Sequence, residues 1–353
     1  MKPWVHIVGG GLSGLSLARA LAQHSNLPGP VIISEPHTNI TNDKTFSFWF
    51  DEFQRTLLAP EVEYKHWSLS TSSEHIEHNG ESMRYGSRSA LSVYTEAHSS
   101  IQRHPQITLN QVALRHAPEA EHVFDSRPPK IDDFRITQSF VGTEVQFSQP
   151  HGISKVSLMN NLHAIAHGVE FLYVLPLSPS RLLVEHTQFT SEIGDLAELQ
   201  TLNENWLKQS FNQPFQITRV EKAHIPMGFE STSEHWGMPI GTRAGMTRDS
   251  TGYGYSTIKQ WCNSSAHSLV KHNQCQSYQP SSLYRWMDSL LLDLIQHRPD
   301  VIPDIFMSMA RGCDADTFAS FMMKTQTRDA MKVILHAPTK PFICALLKKY
   351  QWI

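Results

Sequence analysis

WVHIVGGGLSGLSLARALAQ at residues 4–23, followed by VIISE at 31–35, decides how the rest of the chain is read. Residues 4–8 are a short apolar run of strand character, and Gly9-x-Gly11-x-x-Gly14 opens a helix of small residues through about Gln23. A second strand over Val31–Ser34 ends on Glu35, about 20 residues past the glycines. The three glycines act differently. Gly9 permits the tight turn, Gly11 lets backbone approach a pyrophosphate, and Gly14 lets helix and strand pack closely. Unpaired N–H groups at the helix start attract phosphate, and Glu35 can accept from a ribose hydroxyl. A glycine triplet alone also occurs in structural turns. Here strand, glycines, helix, strand and acid follow in order, the context an adenine-dinucleotide site needs.

Around this unit, the composition narrows the possibilities. At 353 residues the chain is long for one core, so two packed regions are expected. A formal charge of −3, from 30 basic and 33 acidic residues, gives no electrostatic reason to expect a nucleic-acid partner. Cys262, Cys275, Cys313 and Cys344 lack CxxC spacing, which argues against a disulfide framework and against a metal site. A reducing, cytoplasmic setting is expected. The first residues run straight into the nucleotide strand, leaving no room for a signal peptide. No apolar run reaches the roughly 18 residues of a spanning helix, so any membrane contact is peripheral, from the inner face. The 20 histidines are mostly isolated among polar neighbours and read as solvated surface.

Downstream of Glu35, Lys44–Phe50 (KTFSFWF) is too aromatic to be exposed. Core packing is its plain reading; the sharper one places Phe46, Phe48 and Trp49 against a flat cofactor or along an apolar substrate channel. Residues 62–79 and 82–94 suggest exposed strands and a helix start. EHVFDSR at 121–127 ends a strand before Pro128-Pro129, which forbid regular structure. From Phe134 the period changes to two: FRITQSFVGTEVQF alternates, and Phe171–Phe189 reads as two strands around the Pro176-x-x-Pro179 turn. These imply an antiparallel sheet inserted in the nucleotide-binding region. Helical spacing returns over 192–210, strands over Gln216–Val220 and Ala223–Pro226, and a glycine-rich loop over Gly241–Tyr255 leads into a helix. The last stretch is helical, with Leu283, Trp286, Met287, Leu290, Leu291, Leu294 and Ile295 on one stripe. The expected organisation is an α/β protein. Residues 1–130 and 221–275 form a Rossmann-type cofactor domain in two parts, 131–220 a β-sheet substrate domain, and 276–353 a helical C-terminus.

These stretches together resemble the lycopene cyclase family of flavoproteins. The matching pieces are VGGGLSGLSLA at 8–18, KTFSFW at 44–49, VFDSR at 123–127 and QSFVGTEVQFSQPHG at 138–152. They continue with YVLPLSPSRLLVEHT at 173–187, IPMG at 225–228 and RAGMTRDSTGYGYS at 243–256. The resemblance implies a glutathione-reductase-like FAD fold with an inserted substrate sheet. It also implies FAD in reduced form, with NAD(P)H as the electron source, and a reaction without net redox change. In that reaction a linear carotenoid end group is protonated at its terminal double bond, the tertiary cation is attacked by the neighbouring double bond, and loss of a proton leaves a cyclohexene ring. The family's catalytic acid falls at Glu185. The loop at 241–256 corresponds to the family's second flavin contact, with Gly245, Thr251, Gly252 and Tyr253 as candidates and Arg127 a weaker one.

Protonating an alkene requires a carboxyl kept neutral by apolar surroundings. Glu185 lies in RLLVEHTQF, a strand otherwise apolar enough to be buried. Alternation puts Leu183, Glu185 and Thr187 on one face, Val184 and His186 on the other. The competing reading pairs Glu185 with Arg181 or leaves it at a sheet edge. A carbocation also needs a dry pocket and aromatic faces, for which Phe46, Phe48, Trp49, Phe140 and Tyr173 are candidates. The chain departs from the family pattern at three places: His186 replaces a second acid, Asn160 an aspartate, and Arg248-Asp249 a His-Pro pair. His186 can carry protons near neutral pH and is kept as a second catalytic candidate. The expected function is FAD-dependent, non-redox cyclisation of a polyene or isoprenoid. The alternatives are a flavin monooxygenase of an apolar substrate and a non-catalytic flavoprotein that carries apolar pigments. A lipid-dissolved substrate suggests peripheral membrane contact through Leu283, Trp286 and Leu290.

Overall fold

A computed structural model describes residues 2–129, 134–228, 234–323, 327–336, 338 and 341–343. Cys344 and the expected domain boundary near residue 130 lie outside the described residues. In chain order the elements begin with β1 (Val5–Val8), α1 (Leu12–Leu21), β2 (Val31–Glu35), β3 (Thr45–Phe50), α2 (Glu52–Leu58), β4 (Val62–Tyr64), β5 (His66–Ser70), β6 (His75–Asn79) and β7 (Arg84–Ser89). They continue with α3 (Ala90–Arg103), β8 (Ile107–Gln111), β9 (His122–Asp125), β10 (Ile136–Phe147), β11 (Val156–Ile165), β12 (Gly168–Ser178), β13 (Arg181–Thr190), α4 (Leu196–Ser210), β14 (Phe215–Met227) and β15 (Met238–Pro239). The C-terminal part holds α5 (Tyr255–His272), α6 (Ser282–His297), α7 (Ile302–Gly312), α8 (Ala315–Met323) and α9 (Thr327–His336).

The strands form three sheets. A five-stranded sheet has the order β15-β9-β1-β2-β8, and all its pairings are parallel. The central strands β1 and β2 are mostly apolar and buried, as expected where both faces are covered, whereas the edge strand β8 is largely exposed. Helices α1, α3 and α5 supply Leu15, Leu17, Leu21, Ile101, Ile258 and Leu269 to its core. A seven-stranded sheet runs β14-β10-β13-β12-β11-β5-β6 and is antiparallel except at β11–β5. A small antiparallel sheet, β3-β7-β4, bridges the two.

The large sheet therefore reaches outside 131–220. Strands β5 and β6 come from the first part of the chain, and the two short strands read at 216–226 are one continuous β14 pairing along β10. The strands read as exposed at 62–94 are in part core: Trp67 and Tyr85 are buried because both rings pack on Trp49. Full burial of rings of this size stabilises the fold by roughly 2–3 kcal/mol each. One face of the large sheet receives α4, with Val145, Leu172, Val174, Val184 and Leu207 between them. The opposite face meets the C-terminal helices through Ile136, Phe171, Phe189, Leu292 and Ile305, and the small sheet through Leu175, Leu183, Trp49 and Tyr85.

That second contact corrects the reading of the α6 stripe. Leu290, Leu294 and Ile295 are buried rather than offered to a bilayer, Leu283 is packed on the same core, and Trp286 alone of the named set is substantially exposed, at 39%. A stripe at helical spacing marks the face that must be covered, and here protein covers it. No helix among the described residues is long and apolar enough to cross a membrane.

Candidate functional site

The cradle at the chain's start is built by glycine geometry. Gly9 turns the chain out of β1 with φ +100°. A Cβ at Gly14 would lie 2.0 Å from the Gly9 carbonyl oxygen, so only glycine allows α1 to pack there. A Cβ at Gly11 would meet nothing within 4 Å, which leaves open space in front of the helix N-terminus. Glu35 ends β2 beside this turn, its Oε2 accepting from the Gly10 N–H at 2.6 Å and its Oε1 from the His37 N–H at 2.9 Å. The structure thus brings Gly9, Gly11, Gly14 and Glu35 together as the fingerprint requires. It adds Ser126, just past β9, whose hydroxyl contacts Ser13 Oγ at 2.6 Å and accepts from the Gly14 N–H at 3.1 Å. Ser126 lies in the VFDSR stretch, where the sequence singled out only Arg127; its contact with α1 depends on β9 pairing with β1.

The glycine loop over 241–254 closes on this cradle. Gly241, at φ +68°, sits so close to α1 that a Cβ would be 2.4 Å from Ser13 Oγ. Gly252, at φ +70°, lies against the large sheet, and a Cβ there would be 3.4 Å from Gln138 Oε1. Gln138 Oε1 and Trp49 Nε1 are buried without a hydrogen-bond partner, polar atoms of the kind a bound polar ring would satisfy. Gly245 serves the loop's own shape, since its φ of +69° ends the 3₁₀ turn at Gly241–Ala244 and it faces Pro280. Thr251 Oγ1 accepts from the Tyr253 N–H at 3.5 Å and shapes the loop tip. Arg127 is committed elsewhere. Its Nε and Nη2 donate to buried Asp125 at 2.8 and 2.7 Å, and its guanidinium lies 3.6 Å over the Trp236 ring.

Arg248, one of the departures from the family pattern, is buried. It donates to Asp288 at 3.0 Å and to the Phe321 carbonyl at 2.7 Å, while Ser250 donates to the same carboxylate at 2.7 Å. It therefore ties the glycine loop to α6 and α8. Asn160, another departure, accepts from Ser70 Oγ at 2.9 Å where β11 meets β5.

Glu185 occupies the middle of β13, opposite Gly142 of β10 on one side and Tyr173 of β12 on the other. Arg181 is not its partner, since that guanidinium pairs with Glu144 at 2.5 Å. Nor is it at an edge, because strands flank it on both sides. Some side-chain area remains accessible, so the carboxyl can be reached, yet the protein around it is dense enough to desolvate it. Burial, followed by the charge of Glu221, pushes the Glu185 pKa up to about 8, against a hydrogen bond of 2.8 Å donated by Thr187. This shift favours the protonated carboxyl near neutral pH.

Beside it stands a cluster of hydroxyls. Tyr85 contacts Tyr173 at 3.2 Å and Tyr253 at 3.0 Å, and Ser47 contacts Tyr173 at 3.0 Å. Burial, the leading cause in each, holds all three phenols well above the usual tyrosine range, so they stay protonated donors. Tyr253 belongs to the glycine loop, and the cluster links that loop to the strand beside Glu185. Tyr85 and Ser47 were absent from the sequence-based candidates because β7 and β3 carried no signal of facing β12.

The remaining candidates divide by strand alternation. Phe140 is half-buried and directly opposite Thr187, on the face of Glu185. Trp49 shares the face of Ser47, packing edge-on to Tyr85 with centroids 4.6 Å apart. Phe46 and Phe48 point the other way and stack on Tyr255 at 5.4 and 4.5 Å, so they pack the core under α5. His186 also faces away from Glu185. Its Nδ1 donates to Asn203 Oδ1 of α4 at 2.8 Å, and Asn203 in turn donates to Val141 O and Thr143 Oγ1, so the imidazole is not part of the acid's surroundings. A surface cavity of about 720 Å³ has a mixed lining that includes Asp51, Phe53, Arg84, Met83, Asp316 and Met323.

Comparisons with known proteins bear on the family and the fold. The profile of a family described as "Lycopene cyclase protein" matches residues 5–347. A lycopene beta-cyclase of Pantoea ananas is 25% identical over 228 residues, 59% of this chain and 58% of that protein. One from a Paracoccus species is 32% identical over 124 residues, 33% of this chain and 32% of that protein. The aligned stretches thus span about a third to somewhat over half of the relatives' length. Among solved structures, a geranylgeranyl bacteriochlorophyll reductase-like protein of Thermoplasma acidophilum superposes with a TM-score of 0.59 at 11% identity, covering 99% of this chain and 98% of that one. The flavin-dependent monooxygenase PieE, solved with FAD and substrate, gives 0.55 at 12% identity, covering 98% and 72%. Both likenesses concern the fold: a Rossmann-type sheet, a second sheet and a helical C-terminus.

Proposed function

The chain belongs to the lycopene cyclase protein family, and on that premise we propose that it is an FAD-dependent cyclase of a carotenoid or related isoprenoid end group, working without net redox change. The observation that carries the reading is Glu185, a carboxyl shifted toward its protonated form near neutral pH, set mid-sheet beside the hydroxyl cluster that reaches the glycine loop.

FAD would lie with its pyrophosphate at Gly9, Gly11 and Gly14, its ribose at Glu35, and its ring system toward Gly252, Tyr253 and the unpaired Gln138 Oε1. In reduced form, with NAD(P)H as the electron source, it would supply an electron-rich plane able to stabilise positive charge nearby. Glu185 gives its proton to the terminal double bond, forming a C–H bond and a tertiary cation. The neighbouring double bond attacks, a C–C bond closes the ring, and an adjacent carbon releases a proton that the Glu185 carboxylate can take back. The mass does not change, so the enzyme is an intramolecular lyase or isomerase. Trp49, Phe140 and Tyr173 offer aromatic faces to the cation, and Tyr85, Tyr173 and Tyr253 hold their protons instead of competing as bases.

A monooxygenase of an apolar substrate shares this fold, and fold alone does not choose between them. A protonated carboxyl at the site favours the cyclase. Expression in a strain that accumulates a linear carotenoid, with pigment mass analysis, tests the reading. Ring formation leaves the mass unchanged and disappears in Glu185→Gln with FAD retained. A product heavier by one oxygen, or a product unaffected by the substitution, refutes it. Because such a substrate dissolves in lipid, the protein is proposed to work peripherally on the inner face of the membrane, with exposed Trp286 as the remaining anchor of α6.

A further inference from the structure

We propose that Glu221 is a positioning residue: held across Gly142 from Glu185 by Arg219 and Thr45, it keeps the catalytic proton on Glu185, so that the two carboxyls carry one proton between them. The proposal rests on Glu185 being the acid of the reaction above.

The argument begins with register. Glu221 of β14 pairs with Gly142 of β10, which pairs with Glu185 of β13, so the three residues form one row with side chains on the same face. The middle position has no side chain. A Cβ at Gly142 would lie 2.7 Å from Glu221 Cγ and 3.1 Å from Glu221 Oε1, which means the Glu221 side chain leans over the glycine toward Glu185. Two carboxyls thus face each other over a gap that any other residue would fill.

Burial pushes both carboxyls up, but only Glu221 has a guanidinium and a hydroxyl opposing that push, so charge balance places the negative charge on Glu221. Glu221 is 5% exposed, paired with Arg219 Nη1, and accepts from Thr45 Oγ1 at 3.4 Å. Arg219 Nη2 donates to the same Thr45 hydroxyl at 2.7 Å, and its Nε reaches Glu144 at 2.9 Å. Glu144 is completed by Arg181. Two guanidinium groups therefore match two carboxylates, Glu144 and Glu221, with Lys44 a more distant positive charge on Glu221. Among the described residues, the groups named against Glu185 are Glu221, Thr187, Tyr173 and Tyr253, none of them a cation. Ionising Glu185 would leave a negative charge without a counter-charge in a desolvated row, so the proton stays there.

The test is the pH dependence of Glu185 in reduced, FAD-loaded protein, read both as the alkaline limb of cyclase activity and as the infrared band of its protonated carboxyl. In Glu221→Gln the charge is lost and Arg219 becomes a surplus cation, so both readouts shift down by on the order of one pH unit. Activity at pH 9 falls about tenfold, while activity at pH 6 stays within threefold. Glu221→Asp keeps the charge and restores the wild-type limb. If Glu221→Gln does not fold, Glu221→Met carries the same test. An unmoved carboxyl band in folded Gln or Met protein overturns the proposal. Absence of any ring product with the band shifting as expected overturns the cyclase reading and leaves the carboxyl pair standing.

Discussion

Removing the Glu185 carboxyl has a thermodynamic signature separate from catalysis. A group whose folded pKa lies above its unfolded value binds its proton more tightly when folded. Its contribution is therefore fully present below the unfolded pKa and lost as pH rises through the folded one. For Glu185 the two values are 4.5 and about 8. Each unit corresponds to about 1.4 kcal/mol, so the full difference has an upper bound of about 5 kcal/mol. Residual solvent access to the carboxyl and relaxation around it bring the expected effect to about 2–3 kcal/mol. Glu185→Gln, which stays neutral, should escape this loss. Measured by urea unfolding with saturating FAD, its stability relative to wild type should rise by about 2–3 kcal/mol between pH 5 and pH 9, most of it before pH 8. Comparing two proteins at each pH cancels the other titrating groups. A stability difference constant within about 0.5 kcal/mol across that range would refute the claim that Glu185 is held neutral by the fold.

Three further outcomes follow from the same geometry. Gly14→Ala forces a Cβ to within 2.0 Å of the Gly9 oxygen, so α1 must move, and purified protein should lose most of its flavin absorbance. Retention of wild-type flavin content would contradict the cradle. Arg248→Met leaves Asp288 buried without its cation, and the urea midpoint should fall by the equivalent of about 3–5 kcal/mol, with the loop no longer tied to α6 and α8. An unchanged midpoint would show that the tie is not holding the loop. His186→Leu should lower stability by about 1–3 kcal/mol because Asn203 loses a partner, while the pH profile of cyclisation stays in place. A displaced profile would return His186 to the chemistry.

Much of the molecule was legible from periodicity and glycine placement. The βαβ start, the change to period two after Phe134 and the helical C-terminus all follow from interactions within a few residues of one another, whereas the turn read at Pro176–Pro179 falls at 179–180, with Pro176 still in β12. Such local rules place Gly9, Gly11, Gly14 and Glu35 together because the unit that joins them is short. They also put Glu185 and His186 on opposite faces of one strand. What local rules do not carry is which faces meet. That Phe46 and Phe48 turn to Tyr255 while Ser47 and Trp49 turn to Tyr85 is decided by β3 pairing with β7 and by α5 packing behind it. The α6 stripe is read equally well as core or as membrane face, and only the large sheet and α7 covering it settle the matter. The row Glu221–Gly142–Glu185 joins residues on three strands through pairings between segments far apart in the chain. Sequence alone therefore determined the glycine turn at the start of the chain and the strand that carries Glu185, since these depend on chain geometry. The surroundings that push the Glu185 carboxyl toward its neutral form were decided by tertiary structure, because desolvation and charge coupling depend on distance in space rather than along the chain.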